Sequence, residues 1–399
     1  MTNNFNYYSP TEVFFGKGMH KSVGSYIKKY GGTRVIVVYG SERVIKSGLM
    51  GEITDSLKLE GISFELLGGV VPNPHLCKVY EGIELGKKMG ADFLLAVGGG
   101  SVIDTAKAIG YGLAEPEYDV WTLYDHTRTA KKCFPVASVL TIAAAGSETS
   151  NSSVITNEKT KEKRAYDDDL ARPKFAVMNP ELTLGLNDYQ TECGCTDIMM
   201  HTMERYFTNS GNMEITDAIA EALLRTVMVN ARILHKDPLN YEARAEVMWA
   251  GSLAHNNLTG CGNGGGDFAT HLLEHELGGM FDVTHGAGLA ALWPTWARYV
   301  MKNDMHRFVR FAVNVMGIEK TGTDEEIALA GITAMEAFYH EIGMPINMKE
   351  LGIDPTEAQI KQLASSCARA CGGCIGAALP LHEDDMENIY RGAKYIAST

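Results

Sequence analysis

The sequence predicts two domains of different class: an α/β N-terminal domain built on a parallel sheet, then an all-α C-terminal domain. Three observations predict it. Up to about residue 180, short apolar runs alternate with stretches of helical period, the pattern of a sheet covered by helices. Beyond that point long helical patterns follow one another with few strand candidates. The length of 399 residues suits two or three domains on a prior of about 150 residues each. The change of character falls at 180–186, which divides the chain into 1–183 and 184–399.

The elements follow in order. Arg34-Val35-Ile36-Val37-Val38-Tyr39-Gly40 is an unbroken apolar run ending in a turn, as a buried parallel strand requires. Ser63 to Leu67 reads as a second strand, and Pro72-Asn73-Pro74 as turn punctuation. Leu76 to Met89 has the period of an amphipathic helix. Asp92 to Val97 is a third strand that runs directly into Gly98-Gly99-Gly100-Ser101, and a helix resumes over Val102 to Ile109. Phe134 to Gly146 is the longest uncharged apolar stretch; it is too short to span a bilayer and reads as a buried strand with its loop. Phe175 to Met178 is a late strand closed by Asn179-Pro180. In the second part, Asp217 to Leu234, Tyr241 to Leu258 and Glu325 to Ile342 are helical.

Apolar content of 45% and charged content of 21% are those of a soluble protein with substantial cores. The net charge of −13 argues against nucleic acid or an anionic membrane as partner. The first residues lack a basic region followed by an apolar one, so no secretory signal is read there. Eight cysteines in a chain of this size do not make a disulfide framework, and a reduced, cytoplasmic setting is expected. Cys193-x-Cys195 and Cys367-x3-Cys371-x2-Cys374 are read as packing residues rather than as thiolate ligands or an iron–sulfur cluster.

Chemistry concentrates in the second part. Asp197 and His201 are four apart, which puts carboxylate and imidazole on one helix face. His271 and His285 lie in a later stretch, and the four together read as one metal site. A carboxylate oxygen and three neutral imidazoles suit one divalent metal, Fe(II) or Zn(II), and the set lacks the thiolates of a structural zinc site. A rival reading shares a residue: His271-Leu272-Leu273-Glu274-His275 spells H-x-x-E-H, the inverted zinc-protease signature, with His271 and His275 as ligands and Glu274 as base. In the first part, Gly98 to Ser101 lies between a strand and a helix, where glycines and a helix N-terminus form a phosphate cradle. The cradle is neither a P-loop nor the GxGxxG pattern.

Jointly these residues carry a resemblance. Ser9 to Gly18, Val71-Pro72-Asn73-Pro74, Gly98 to Lys107, Gly146-Ser147-Glu148, Asp197-x3-His201, Gly286, Pro294 and Ile389-Tyr390 together resemble the iron-containing alcohol dehydrogenase family, especially its butanol dehydrogenase-like branch. The resemblance implies a Rossmann-like, dinucleotide-binding first domain and a metal-binding second one, an architecture shared with dehydroquinate synthase. It implies Asp197, His201, His271 and His285 as metal ligands. His275 becomes a catalytic residue beside nicotinamide and substrate, which removes it from the ligand set. Gly99, Gly100 and Ser101 are implied at the pyrophosphate, with Asp104, Thr141, Ser147 and Lys163 also at the cofactor. The turn Gly40-Ser41-Glu42-Arg43, with Lys46 beyond it, sets the choice of cofactor. Gly40 and Ser41 leave room for a 2′-phosphate that Arg43 or Lys46 would pair with, which favours NADP over NAD, although Glu42 could hold a ribose hydroxyl instead.

The activity implied is hydride transfer between NAD(P)(H) and a primary alcohol or aldehyde, in a homodimer. A dehydroquinate synthase-like lyase and the protease are the alternatives. Three features depart from the family pattern: Ala143-Ala144-Ala145 where Pro-Ala-Thr is usual, the acidic Asp167-Asp168-Asp169, and the glycine-rich Gly262 to Gly266. These bear on cofactor affinity and substrate range and leave the ligands untouched.

Overall fold

Among the described residues, six of the eight strands lie side by side as one parallel sheet. The strands are β1 (Glu12–Phe15), β2 (Arg34–Tyr39), β3 (Ser63–Leu67), β4 (Phe93–Gly98), β5 (Val136–Leu140), β6 (Ser152–Asn157), β7 (Glu162–Asp167) and β8 (Phe175–Met178). In this computed structural model, which describes residues 2–209 and 213–395, the sheet order is β1-β8-β5-β4-β2-β3, and β6 and β7 form a separate antiparallel hairpin. Every residue of β4, β5 and β8 is buried, as is all of β2 beyond Arg34. Both faces are covered, which is why these strands are continuous apolar runs and not alternating ones.

One face packs on α1 (Val23–Lys29) and α3 (Leu49–Leu59), which follows the short α2 (Arg43–Lys46). The other carries α4 (Leu76–Met89) and α5 (Gly100–Ala114), with the short α6 (Trp121–Tyr124) beyond. Gly86 permits that approach, since a Cβ there would lie 2.6 Å from Leu113 and 3.1 Å from Ile36. The expected strands at 34–40, 63–67, 92–97 and 175–178 all form, and the expected 76–89 helix has the observed bounds. The helix after the glycine loop is longer than its apolar period suggests, extending to Ala114.

The β6–β7 hairpin is held to α5 by two charges one turn apart, the fully buried Lys107 and the half-buried Asp104. Asp104 accepts from Ser147 Oγ (2.6 Å) and Val154 N (3.0 Å). Lys107 donates to Ser147 O (2.8 Å), Ser150 O (3.1 Å) and Ser152 O (2.6 Å). Replacing the ammonium would strand three carbonyls away from water and remove the positive charge that favours the Asp104 carboxylate. Lys107→Met is therefore expected to lower stability by about 3–5 kcal/mol in denaturant unfolding, and an unchanged midpoint would contradict this role.

The chain divides into two units, Ser9–Leu186 and a second comprising Met1–Tyr8 and Asn187–Thr399. The sequence reading began the first domain at residue 1, but the N-terminal segment pairs with the second unit, where Asn3 N donates to Gly262 O (3.1 Å). The second unit holds helices α7 (Asp188–Tyr206), α8 (Glu214–Lys236), α9 (Tyr241–His255), α10 (Ala269–Phe281), α11 (His285–Val300), α12 (Met305–Asn314), α13 (Asp324–Glu341), α14 (Glu357–Ala370) and α15 (Glu383–Tyr395). No strand forms among its described residues. α7 is the central helix: every residue from Thr191 to Tyr206 is buried by packing against α8, α9 and α11. A helix surrounded in this way has no polar face, so its charged residues must find partners inside. Among the described residues no helix is long and apolar enough to cross a membrane.

Candidate metal centre

α7 begins where Asn187 caps it, its side chain accepting from Gln190 N (2.8 Å). Asp197, His201 and Glu204 then fall at i, i+4 and i+7, one above another on the same face. α10 begins at Ala269, whose N–H donates to Asp267 Oδ1 (3.0 Å) just ahead of the helix. It presents His271, Glu274 and His275 at i, i+3 and i+4. α11 starts with His285, and Gly286 explains how that end reaches α7. A Cβ on Gly286 would collide with the carbonyl of Cys193, so only glycine allows the two backbones this close. Gly288 does the same for Glu274, whose Cγ would lie 2.8 Å from an added Cβ.

Three helix segments thereby bring four side chains to one point. Asp197 Oδ1 lies 3.3 Å from His201 Nε2, 3.7 Å from His271 Nε2 and 3.8 Å from His285 Nε2. Asp197, His201 and His271 are buried, while the His285 side chain is 26% exposed and gives the cluster an open side. Asp197 Oδ1 and His271 Nε2 are buried without a hydrogen-bond partner; a divalent cation between them would satisfy both, so the donor set fits the metal.

Two carboxylates fix the rings from behind. Glu204 Oε2 faces His271 Nδ1, and Glu204 Oε1 accepts from the His271 backbone N–H (3.1 Å). Glu274 Oε2 faces His285 Nδ1. With Nδ1–H donating to a carboxylate, each ring presents its Nε2 lone pair toward Asp197. Burial first, then the neighbouring His255 and His271, push the His201 pKa well below its ordinary value, so this ring is neutral. Burial acts the same way on His271, but the Glu204 and Asp197 carboxylates outweigh it and raise that pKa to about 9.

Glu204 is absent from the sequence reading. Its signal was a lone glutamate seven residues after Asp197 in a run otherwise free of surface character. Glu274 is present there only as the base of the protease reading. In the structure its carboxylate is spent on His285 Nδ1, which leaves the H-x-x-E-H geometry without its base. His275 lies apart from the Asp197 cluster, with a ligand-type atom within 4.8 Å of Glu274 and His285. Burial pushes the thiols of Cys193 and Cys195 up to about 12, and both remain packing residues. Among the described residues Cys367, Cys371 and Cys374 do not converge as a metal cluster.

In the first unit, the strand order sends the chain outward in opposite directions from β2 and β4, a topological switch point of the kind at which parallel sheets bind nucleotides. Gly40 and Ser41 follow β2; Gly99, Gly100 and Ser101 follow β4; Thr141 follows β5, its N donating to Gly98 O (3.0 Å). All three turns are at the same edge of the sheet. Gly98 allows α5 to begin at once, because a Cβ there would strike Val102. A Cβ on Gly99 would lie 3.0 Å from Ile142 and one on Gly100 3.4 Å from Ala145. Asp104 and Ser147, expected at the cofactor, are engaged with each other and with Lys107, so they shape the cradle from inside. Lys163 is buried on β7, near enough to Asp104 for its charge to favour the carboxylate.

Comparison with known proteins agrees with this arrangement. Residues 10–180 match the family described as iron-containing alcohol dehydrogenase, and residues 191–394 match its C-terminal domain. The chain belongs to the iron-containing alcohol dehydrogenase family. It is similar to NADH-dependent butanol dehydrogenase A of Clostridium acetobutylicum, at 39% identity over 97% of this chain and 99% of that protein. It is also similar to the NADPH-dependent aldehyde reductase YqhD of Escherichia coli, at 36% identity over 88% of this chain and 90% of the other. The crystal structure of NADH-dependent butanol dehydrogenase A from Thermotoga maritima superposes with a TM-score of 0.95 at 36% identity, covering 99% of both chains. For this iron-containing alcohol dehydrogenase family member, the butanol dehydrogenase-like branch expected from the motifs is thereby established, and neither the lyase nor the protease is favoured.

Proposed function

We propose that this chain interconverts primary alcohols and aldehydes with a nicotinamide cofactor, using one divalent metal ion held by Asp197, His201, His271 and His285. The observation that carries this reading is the convergence of three Nε2 atoms within 3.8 Å of one carboxylate oxygen. The relatives named butanol dehydrogenase and aldehyde reductase support the substrate class, small alcohols and aldehydes. Four oxygen and nitrogen donors suit Fe(II) or Zn(II). When bound, such an ion supplies Lewis acidity toward the substrate oxygen and lowers the pKa of an alcohol.

The protein's own groups do the rest. Glu204 and Glu274 hold two imidazoles in the tautomer and orientation that the ion needs. His275 takes or returns the hydroxyl proton from its place beside Glu274 and His285. Gly99, Gly100 and Ser101 seat the pyrophosphate at the start of α5, between Gly40-Ser41 and Thr141, with Lys163 adding positive charge. A soluble cytoplasmic homodimer fits this reading.

The relatives differ in cofactor by name, which directs attention to the turn after β2. Gly40 and Ser41 carry no carboxylate, and Lys46 is exposed close by. Arg43 folds its guanidinium over Gly185, where a Cβ would crowd Nη2. Lys46 is then the cation offered to a 2′-phosphate, and NADP(H) is the favoured partner. The experiment is the loss of reduced-nicotinamide absorbance with a panel of aldehydes and both cofactors. Turnover of short aldehydes is expected with either cofactor, with the higher kcat/KM for NADPH. A clear preference for NADH would assign Glu42 to the ribose and overturn the cofactor choice. No nicotinamide oxidation with any aldehyde would overturn the function.

A further inference from the structure

His271 and His285 are each braced at Nδ1 by a buried carboxylate, whereas His201 Nδ1 is buried without a hydrogen-bond partner. What lies against His201 is another ring. His255, the last residue of α9, stacks on it with centroids 3.9 Å apart and planes inclined by 21°.

The backbone on either side of this stack is tied together. Buried Arg205 donates from Nη1 to His201 O (2.8 Å) and from Nη2 to Asn257 Oδ1 (3.3 Å). The turn that ends α9 is thus fastened to the turn of α7 that carries His201. Asn257 is in the left-handed region at φ 73°, and Leu258 N donates to Asn256 Oδ1 (3.0 Å), so the chain reverses immediately after His255. The Arg205 guanidinium also lies 4.9 Å from the Phe268 ring at the entry to α10. One arginine therefore sets the spacing of the α9 turn, the His201 turn and the start of the His271 helix.

We propose that His255 is a positioning residue of the metal centre, whose ring holds the plane of His201 by stacking as Glu204 and Glu274 hold the other two rings by hydrogen bonding. A flat ring on one face of an imidazole limits rotation about χ2. It keeps Nε2 directed at Asp197 without requiring a proton at Nδ1. A stack resists sliding less than a carboxylate does, so His201 is the most adjustable of the three imidazoles.

The inference rests on the ligand set proposed above, and its test separates the two. Metal-stripped full-length protein is titrated with Co(II) in competition with a chromogenic chelator, and the visible Co(II) bands are recorded. Wild type, His255→Ala, His255→Phe and His271→Ala are compared, with circular dichroism to confirm folding; His255 is only half-buried, so its truncation leaves the core intact. His255→Ala is expected to bind Co(II) about 10-fold more weakly and to shift its bands, while His255→Phe, which keeps a flat ring, remains close to wild type. Wild-type affinity and bands in His255→Ala overturn the inference. So does a His255→Phe variant as weak as His255→Ala, because the ring nitrogens and not its face would then matter. If His271→Ala binds Co(II) like wild type, the ligand set itself fails. If only His271→Ala is impaired, the ligand set stands and the role of His255 falls.

Discussion

His271→Ala is expected to yield a folded protein that retains no divalent ion and turns over no alcohol, while still binding nicotinamide cofactor. The ring supplies one of the three nitrogens around Asp197 Oδ1, and it is the α10 residue grouped with Asp197 and His201. The truncation also removes the imidazole opposite a fully buried carboxylate. Glu204 keeps the backbone N–H of residue 271 at 3.1 Å but loses its charged partner, which costs about 3–5 kcal/mol in the metal-free state. Metal content by atomic absorption, cofactor binding by calorimetry and aldehyde-dependent nicotinamide oxidation are the readouts. His275→Ala is the informative companion: its rate should fall with metal retained. Normal metal content in His271→Ala, or metal loss in His275→Ala, would reverse the ligand assignment between these neighbours.

Glu204→Gln tests the support behind the ligand. The amide still fills the space, but it cannot accept from both the His271 N–H and Nδ1 with the strength of a carboxylate. Metal affinity is expected to drop about 10- to 100-fold without disappearing. The pH dependence carries a second signature. In the metal-free protein, Glu204 and Asp197 raise the His271 pKa against its burial to about 9. A metal ion must expel that proton, so wild-type affinity should climb with pH throughout the range below about 9 and level off above it. Without the Glu204 charge the proton leaves at lower pH, and the plateau of Glu204→Gln should move down accordingly. Identical affinity–pH curves in the two proteins would remove Glu204 from this role.

Legibility in the sequence tracked burial. β2, β4 and β8 are covered on both faces, and unbroken apolar runs announce them. β1 is a four-residue edge strand. The β6–β7 hairpin is largely polar, held by Asp104 and Lys107 from a different element. Its pairing therefore depends on contacts that no local pattern records. The Asp197–His201 pair was readable because helical spacing alone makes it. That His271 and His285 join it is read from residue type and the family pattern; what brings His285 there, the approach of Gly286 to the Cys193 carbonyl, has no local signal. Glu204 and His255 were invisible for the same reason. A buried glutamate and a histidine at a helix end acquire meaning only from what folding sets against them.

The central claim is that these four side chains hold the one ion on which turnover depends. Its most direct test is to strip the wild-type protein with a chelator, return Fe(II) or Zn(II) stepwise, and follow butanal-dependent nicotinamide oxidation. Activity should be absent after stripping and should rise linearly to a plateau at one ion per chain. Full activity in the stripped protein, or a plateau reached only with two ions per chain, would contradict it.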